Sequence, residues 1–443
     1  MLYPQFPPGF RFGMATSAYQ IEGAADGKSS SIWDTFTARP GTVRHGEDGR
    51  VAIDHYHRYA EDVEHIAAAG VHDYRFSFSW TRVQSDPAFY DRLVDAILEA
   101  GVRPVPTLYH WDLPQDLEDA GGWMNRDTAY RLADYAGTLV SRLGDRVRDW
   151  ITMNEMSVHT LYGYALTDHA PGRGLGLAAL PAAHHQLLAH GLAVQALRAG
   201  GAGSVGVANQ HFPVSPASDD PADVAAAGLF ADLTNWMFSD PLLRGEYPNE
   251  MIQAEIGDPR DLEVISAPLD FYGVNYYEPT MIEAPRAGKD YSGVLEVDIP
   301  EGLPFSPVPV KSDERTDFGW AIVPSGLTEI LTTLRDRYPN LPPVLITENG
   351  ASFHDAGPGP DGRIRDHQRI AFLEAHLQAV AAAQEAGVRV DGYYVWSALD
   401  NFEWAAGFDE RFGLVHVDRE TLARTRKDSW YWYRDLIAAQ RRS

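Results

Sequence analysis

The chain reads as an α/β protein built on a (β/α)8 TIM barrel, and two observations carry that reading. Eight short apolar or β-branched runs recur along it, and helical patterns lie between most of them. No Gly/Ser linker divides the chain and no internal repeat is visible, so residues 1–443 are expected to form a single domain with long loops on one face.

The runs follow in order: FGMATSAY (12–19), YRFSFSW (74–80), VRPVPTLYHW (102–111), WITMN (150–154), SVGVANQ (204–210), DFYGVNYY (270–277), VLITEN (344–349) and GYYVWSALD (392–400). VLITEN is apolar without alternation, as strands covered on both faces are. Segments 56–70, 89–101, 128–144 and 367–387 place apolar residues at i, i+3 and i+4 and end near glycine, which predicts helices. Segment 278–317 is Pro-rich and unpatterned, and is expected to be a long loop that shapes a site.

Composition narrows the function. With 62 acidic against 37 basic residues the formal charge is −25, which argues against nucleic acid and against an anionic membrane surface. Zero cysteines exclude disulfides, thiolate metal sites and a cysteine nucleophile. No apolar run approaches 18 residues, and MLYPQFPPGF lacks the basic and apolar regions of a signal peptide, so a cytoplasmic location is expected. The 11 Trp, 21 Tyr and 18 Phe include many beside acids or amides, as in YHWD and WSALDNFEW. Most of these rings are expected in the core, but an aromatic face beside hydrogen-bonding groups suits a sugar.

In a barrel the C-terminal strand ends share one rim, and catalytic side chains project from it. The ends of these runs carry Gln20 and Glu22, Arg75, His110 and Trp111, Asn154 and Glu155, Asn275 and Tyr277, Glu348 and Asn349, and Trp396. Glu403 and Trp404 follow the eighth. Two carboxylates, an arginine, amides and tryptophans match glycosidic-bond cleavage, which needs one protonated acid, one ionised carboxylate and a grip on hydroxyls. Either acid alone reads as a rim salt bridge. Two of them, each beside asparagine after a threonine-containing strand, favour catalysis.

The motifs FGMATSAYQIEGA, SIWDTF, DHYHRYAEDV, YRFSFSW, TLYHWDLPQ, WITMNE, GVNYY, VLITENG, VWSALDNFEW and RFGLVHVD, in this order, resemble the family 1 glycoside hydrolases of the β-glucosidase type over nearly the whole chain. The resemblance implies a retaining β-glycosidase acting on a small-molecule β-glycoside without metal or cofactor. It implies Glu348 as nucleophile and Glu155 as acid/base. Gln20, His110, Asn154, Glu403 and Trp404, with Trp111 beside them, would bind the sugar, and Trp396 would form its floor. Tyr277 and Arg75 would support the nucleophile, Asn275 the acid/base, and the Trp396–Ser397 peptide would be cis. Two departures stand out: Met156 follows Glu155 where the family usually has proline, and 80–93 replaces a longer connection, so the site is expected to be more open there.

Other readings are weaker. Histidines in DHYH and HHQLLAH do not share a helix face at metal-binding spacing, and no HExxH pattern occurs. A non-catalytic carbohydrate-binding protein has no need of two acids. A 6-phosphoglycosidase needs a cation for the phosphate, whereas DNFEWAAGFDE supplies carboxylates around Trp404. Aglycone, gluco against galacto or fuco preference, transglycosylation and oligomeric state stay open.

Overall fold

Alternating strands and helices must bury an apolar face on each, and eight parallel strands do so by closing on themselves. The computed structural model describes residues 4–249, 252, 257–294 and 302–441. Its barrel strands are β1 (Arg11–Ala15), β2 (Asp73–Ser77), β3 (Arg103–Tyr109), β4 (Asp149–Asn154), β5 (Ser204–Gln210), β6 (Phe271–Asn275), β7 (Val344–Asn349) and β8 (Val390–Trp396). Each pairs in parallel with the next, and β8 returns to β1, with Ala15 opposite Trp396. The four expected helices are His55–Ala68, Ala88–Glu99, Asp127–Leu143 and His367–Glu385.

Two layers of apolar side chains follow from the pleat. Val105, Ile151, Ala208, Phe271, Leu345 and Tyr394 fill the barrel interior, while Tyr74, Phe76, Val274 and Ile346 face the surrounding helices. Close packing inside requires a glycine: a Cβ at Gly206 would lie 2.4 Å from the Phe271 ring. At the N-terminal end, buried Asp73 accepts from Arg11 at 2.6 Å, Arg103 at 2.8 Å and Tyr394 at 2.8 Å, and Arg11 also reaches Asp149 at 2.6 Å. That network ties β1, β2, β3, β4 and β8 together on the face opposite the rim.

Two segments read as connections carry regular structure. Residues 80–93 contain a helix, Trp80–Ser85, followed by the start of the next helix at Ala88. Its Trp80 stacks on Tyr135 at 4.6 Å, and its buried Arg82 pairs with Glu22 at 2.6 Å, so the segment is tied to the helix Asp127–Leu143 and to the stretch after β1. The stretch 278–317 is not wholly unpatterned. Strands Thr280–Glu283 and Ser306–Val308 join Val214–Pro216 in a small three-stranded sheet. Pro-rich composition hid strands of three and four residues, too short to show a period. Residues 295–301 of that stretch lie outside the described ones.

Candidate active site

The two acids reach the barrel mouth through the same device. Strict alternation along β7 from Leu345, which faces inward, would send Glu348 outward with Ile346. The ladder instead shifts register between Ile346 and Glu348. In β4 the ladder likewise shifts between Ile151 and Asn154. A bulge of this kind re-aims the following side chain. Glu155 comes next with φ of 45°, a left-handed conformation that non-glycine residues rarely adopt. Trp111 (φ 76°) and Trp404 (φ 48°) share that property at the same site, where a surrounding structure over-determines strained backbone.

Glu348 has both carboxylate oxygens engaged. Arg75 Nη1 donates to Oε1, and Tyr277 Oη donates to Oε2 at 2.7 Å. Arg75 is itself fixed by the Thr347 carbonyl at 3.0 Å and Asn154 Oδ1 at 2.5 Å, and is 1% exposed. A buried guanidinium against a buried carboxylate favours the ionised acid.

Glu155 is treated in the opposite way. Burial first, and then the charge of Glu348, push its carboxyl up to about 8. Donation from Asn275 Nδ2 at 2.8 Å and the charge of Arg75 act against that rise. The Asn275 amide is oriented by Thr347, whose hydroxyl donates to Asn275 Oδ1 at 2.6 Å, leaving Nδ2 to face Glu155. Asn154 is oriented similarly: its Oδ1 accepts from Arg75 and its Nδ2 lies 3.1 Å from His110 Nε2. Burial, and secondarily Arg75, hold the His110 imidazole well below its ordinary pKa, so it is neutral.

These groups surround one cavity of about 430 Å3. His110, Trp111, Glu155, Tyr277, Glu348, Trp396, Glu403 and Trp404 line it. Arg75, Asn154, Asn275 and Gln20 stand behind that wall. Gln20 Nε2 reaches Glu403 Oε2 at 3.2 Å and the Phe402 carbonyl at 2.8 Å. Trp404 packs at 4.6 Å from Trp33 and 4.8 Å from Trp111, and Trp396 stacks on His110 at 6.0 Å. The Trp396–Ser397 peptide is cis. Gly350 is the residue that permits this approach, because a Cβ there would fall 1.7 Å from the Trp396 carbonyl oxygen. Among the described lining residues there is no Lys or Arg.

The histidines set aside as metal ligands have other partners. His55 bonds Asp62 at 2.8 Å, His184 bonds Tyr247 at 2.7 Å and Asp261 at 2.8 Å, and His190 bonds Thr152 at 2.6 Å. Sequence reasoning missed the outer part of the cavity, including Tyr162, Phe230, Trp320 and Phe412. It also missed Glu278, half-buried on the lining, whose carboxyl burial pushes up to about 7. Glu278 directly follows Tyr277 and was within reach of the same strand-end argument. The aromatic and aliphatic wall comes from four distant segments, and no local pattern announced it.

The arrangement supplies a carboxylate paired with a buried guanidinium, and a second carboxyl pushed up to about 8, in one cavity lined by aromatic rings. Comparison with known proteins agrees with that chemistry. The profile of glycosyl hydrolase family 1 matches residues 2–442. "Beta-glucosidase A" of Acetivibrio thermocellus is 42% identical, over 98% of each chain. A bifunctional β-D-glucosidase/β-D-fucosidase of Bifidobacterium breve is 41% identical, also over 98% of each. Among solved structures, the psychrophilic β-glucosidase of Micrococcus antarcticus superposes with a TM-score of 0.94 at 44% identity, covering 99% of this chain and 100% of that one. The family 1 β-glucosidase of Thermotoga maritima in complex with isofagomine lactam gives 0.91 at 39%, covering 99% and 100%.

Proposed function

The chain belongs to glycosyl hydrolase family 1, and we propose that Glu348 is its nucleophile and Glu155 its acid/base. It is a retaining β-glucosidase, acting on β-glycosides by double displacement. One observation carries the assignment of roles: two buried carboxyls in one cavity have opposite surroundings, Glu348 held by Arg75 and Tyr277, Glu155 pushed up to about 8.

In the first step Glu348 attacks the anomeric carbon while Glu155 gives its proton to the glycosidic oxygen, and the aglycone leaves as an alcohol. Esterified Glu348 carries no charge, so one cause of the raised Glu155 pKa disappears. Glu155 then takes a proton from water, whose oxygen attacks the anomeric carbon and releases Glu348. Two inversions return the β-anomer. His110, Glu403 and Trp404 hold the sugar hydroxyls from the lining, Asn154 and Gln20 position His110 and Glu403 from behind it, and Trp396 is its floor. Acceptance of β-fucosides beside β-glucosides is a second reading, supported by the bifunctional relative.

Glu348→Ala tests the nucleophile. It should reduce turnover of nitrophenyl β-glucoside at least 10³-fold, and azide should restore part of it with an α-glucosyl azide product. A β-azide, or no rescue with full wild-type binding, refutes the role. Proton NMR of the first-formed sugar should show the β-anomer before mutarotation.

A further inference from the structure

We infer that the outer half of the cavity is a chamber for an extended apolar aglycone, an alkyl or prenyl-like chain, in preference to a second sugar. The inference rests on the β-glucosidase reading and deepens it.

Three independent features point there. First, the chamber wall is mostly aromatic and aliphatic, with Thr160, Gln210, Thr234 and Glu278 among its polar members. Phe230 sits 6.4 Å from Phe212 and 5.3 Å from Phe305, and Leu233, Met237 and Leu303 continue the surface. The three rings come from the segment just after β5, the helix Pro221–Ala231 and the residue preceding the strand Ser306–Val308, so the wall is built by packing between elements. A second sugar ring needs hydrogen-bonding side chains, since each buried hydroxyl without a partner costs about 1–3 kcal/mol. Thr234, a polar lining residue here, already donates its hydroxyl to the Phe230 carbonyl at 2.8 Å.

Second, the two π-helical turns among the described residues, His159–Ala165 and Asp232–Trp236, both contribute to this chamber. The first supplies Thr160, Leu161, Tyr162 and Ala165, and the second Leu233 and Thr234. Such turns are rare and concentrate at functional sites. Third, Leu177 lines the same cavity yet is 55% exposed, and Leu175 beside it is 37% exposed. They lie on GRGLGL, where Gly172, Gly174 and Gly176 all have positive φ. Large apolar side chains at the mouth of an apolar chamber give a chain a continuous dry path from solvent.

Methyl, butyl, hexyl and octyl β-D-glucosides, kept below their micellar concentrations, test this against cellobiose. The primary alkanol leaving groups differ little in acidity, so chain length reports contact and not chemistry. kcat/KM should rise about twofold to fourfold per added methylene until the chamber is filled, and octyl glucoside should exceed cellobiose by at least tenfold. Leu233→Gln and Leu177→Ser should each flatten the slope with chain length. Calorimetric binding of alkyl thio-β-glucosides, which are not hydrolysed, should show the same slope in affinity. Hydrolysis of methyl glucoside with no chain-length dependence, or cellobiose as the better substrate, overturns the chamber and leaves the glucosidase reading intact. Failure to hydrolyse any β-glucoside, with thioglucoside affinity still rising with chain length, overturns the glucosidase reading instead.

Discussion

Glu155 is the residue whose environment sets the pH dependence. Its carboxyl must be protonated to act as acid, and burial together with the Glu348 charge pushes it up to about 8. Activity should therefore fall as pH rises through that value in a kcat/KM profile. Asn275 donates to the ionised form, so Asn275→Ala should lower kcat/KM and move the alkaline limb to higher pH. An unmoved or downward-shifted limb contradicts the contact. Glu278 also titrates near neutrality, and Glu278→Gln should leave the limb in place if Glu155 causes it. Leaving groups separate the acid from the base. Glu155→Ala should slow alkyl glucosides far more than dinitrophenyl glucoside, whose phenolate scarcely needs a proton. Folding follows the same direction. A carboxyl raised above its unfolded value favours the folded state fully at low pH, and that contribution is lost as pH climbs toward 8. Glu155→Gln should thus melt higher than wild type at pH 8, with the difference shrinking at pH 5.

At the scale of elements, the two ends of the barrel strands do different work. The N-terminal ends hold Asp73 against Arg11, Arg103 and Tyr394, with no exposure of the carboxylate. Asp73→Ala leaves the buried Tyr394 hydroxyl without its acceptor and Arg11 with Asp149 alone, a change worth about 1–3 kcal/mol. Urea unfolding should shift to a lower midpoint by that amount, while KM for the folded enzyme stays near wild type, because the network faces away from the cavity. The C-terminal ends behave in reverse. Gly350→Ala drives a methyl group into the Trp396 carbonyl, so it displaces the sugar floor. Its kcat/KM should fall at least 10²-fold with a smaller change in stability, and circular dichroism near 280 nm should report the moved tryptophan. Equal losses of stability and activity would mean that Gly350 serves packing alone.

The whole molecule carries a formal charge of −25, and the described cavity lining contains Glu278, Glu348 and Glu403, beside a protonated Glu155, without a lysine or arginine. A phosphate on the sugar would meet that field with no counter-charge. Nitrophenyl 6-phospho-β-glucoside should be hydrolysed at least 10²-fold less efficiently than its neutral parent. The ratio should narrow as ionic strength rises from 10 to 200 mM, since the Debye length contracts from about 30 Å to below 10 Å. Equal rates would refute the electrostatic argument. No helix among the described residues is long and apolar enough to cross a membrane.

Sequence by itself determined the barrel, because apolar periodicity is local: eight runs and four amphipathic segments could be counted without knowing what they touch. It also placed both glutamates at strand ends, since VLITEN and WITMN terminate in polar residues wherever the strands lie. Only the tertiary structure decided which way those acids face. Alternation from Leu345 points Glu348 outward, and the register shift that corrects it depends on pairing with β6. Tertiary structure likewise tied 80–93 to the stretch after β1 through Arg82 and Glu22, and drew two short strands out of 278–317. It assembled the aglycone wall from Phe212, Phe230 and Phe305. A period of two or 3.6 residues is written within a few positions of chain. A bulge, an ion pair 60 residues apart or a wall shared by three segments exists only once distant strands are in register.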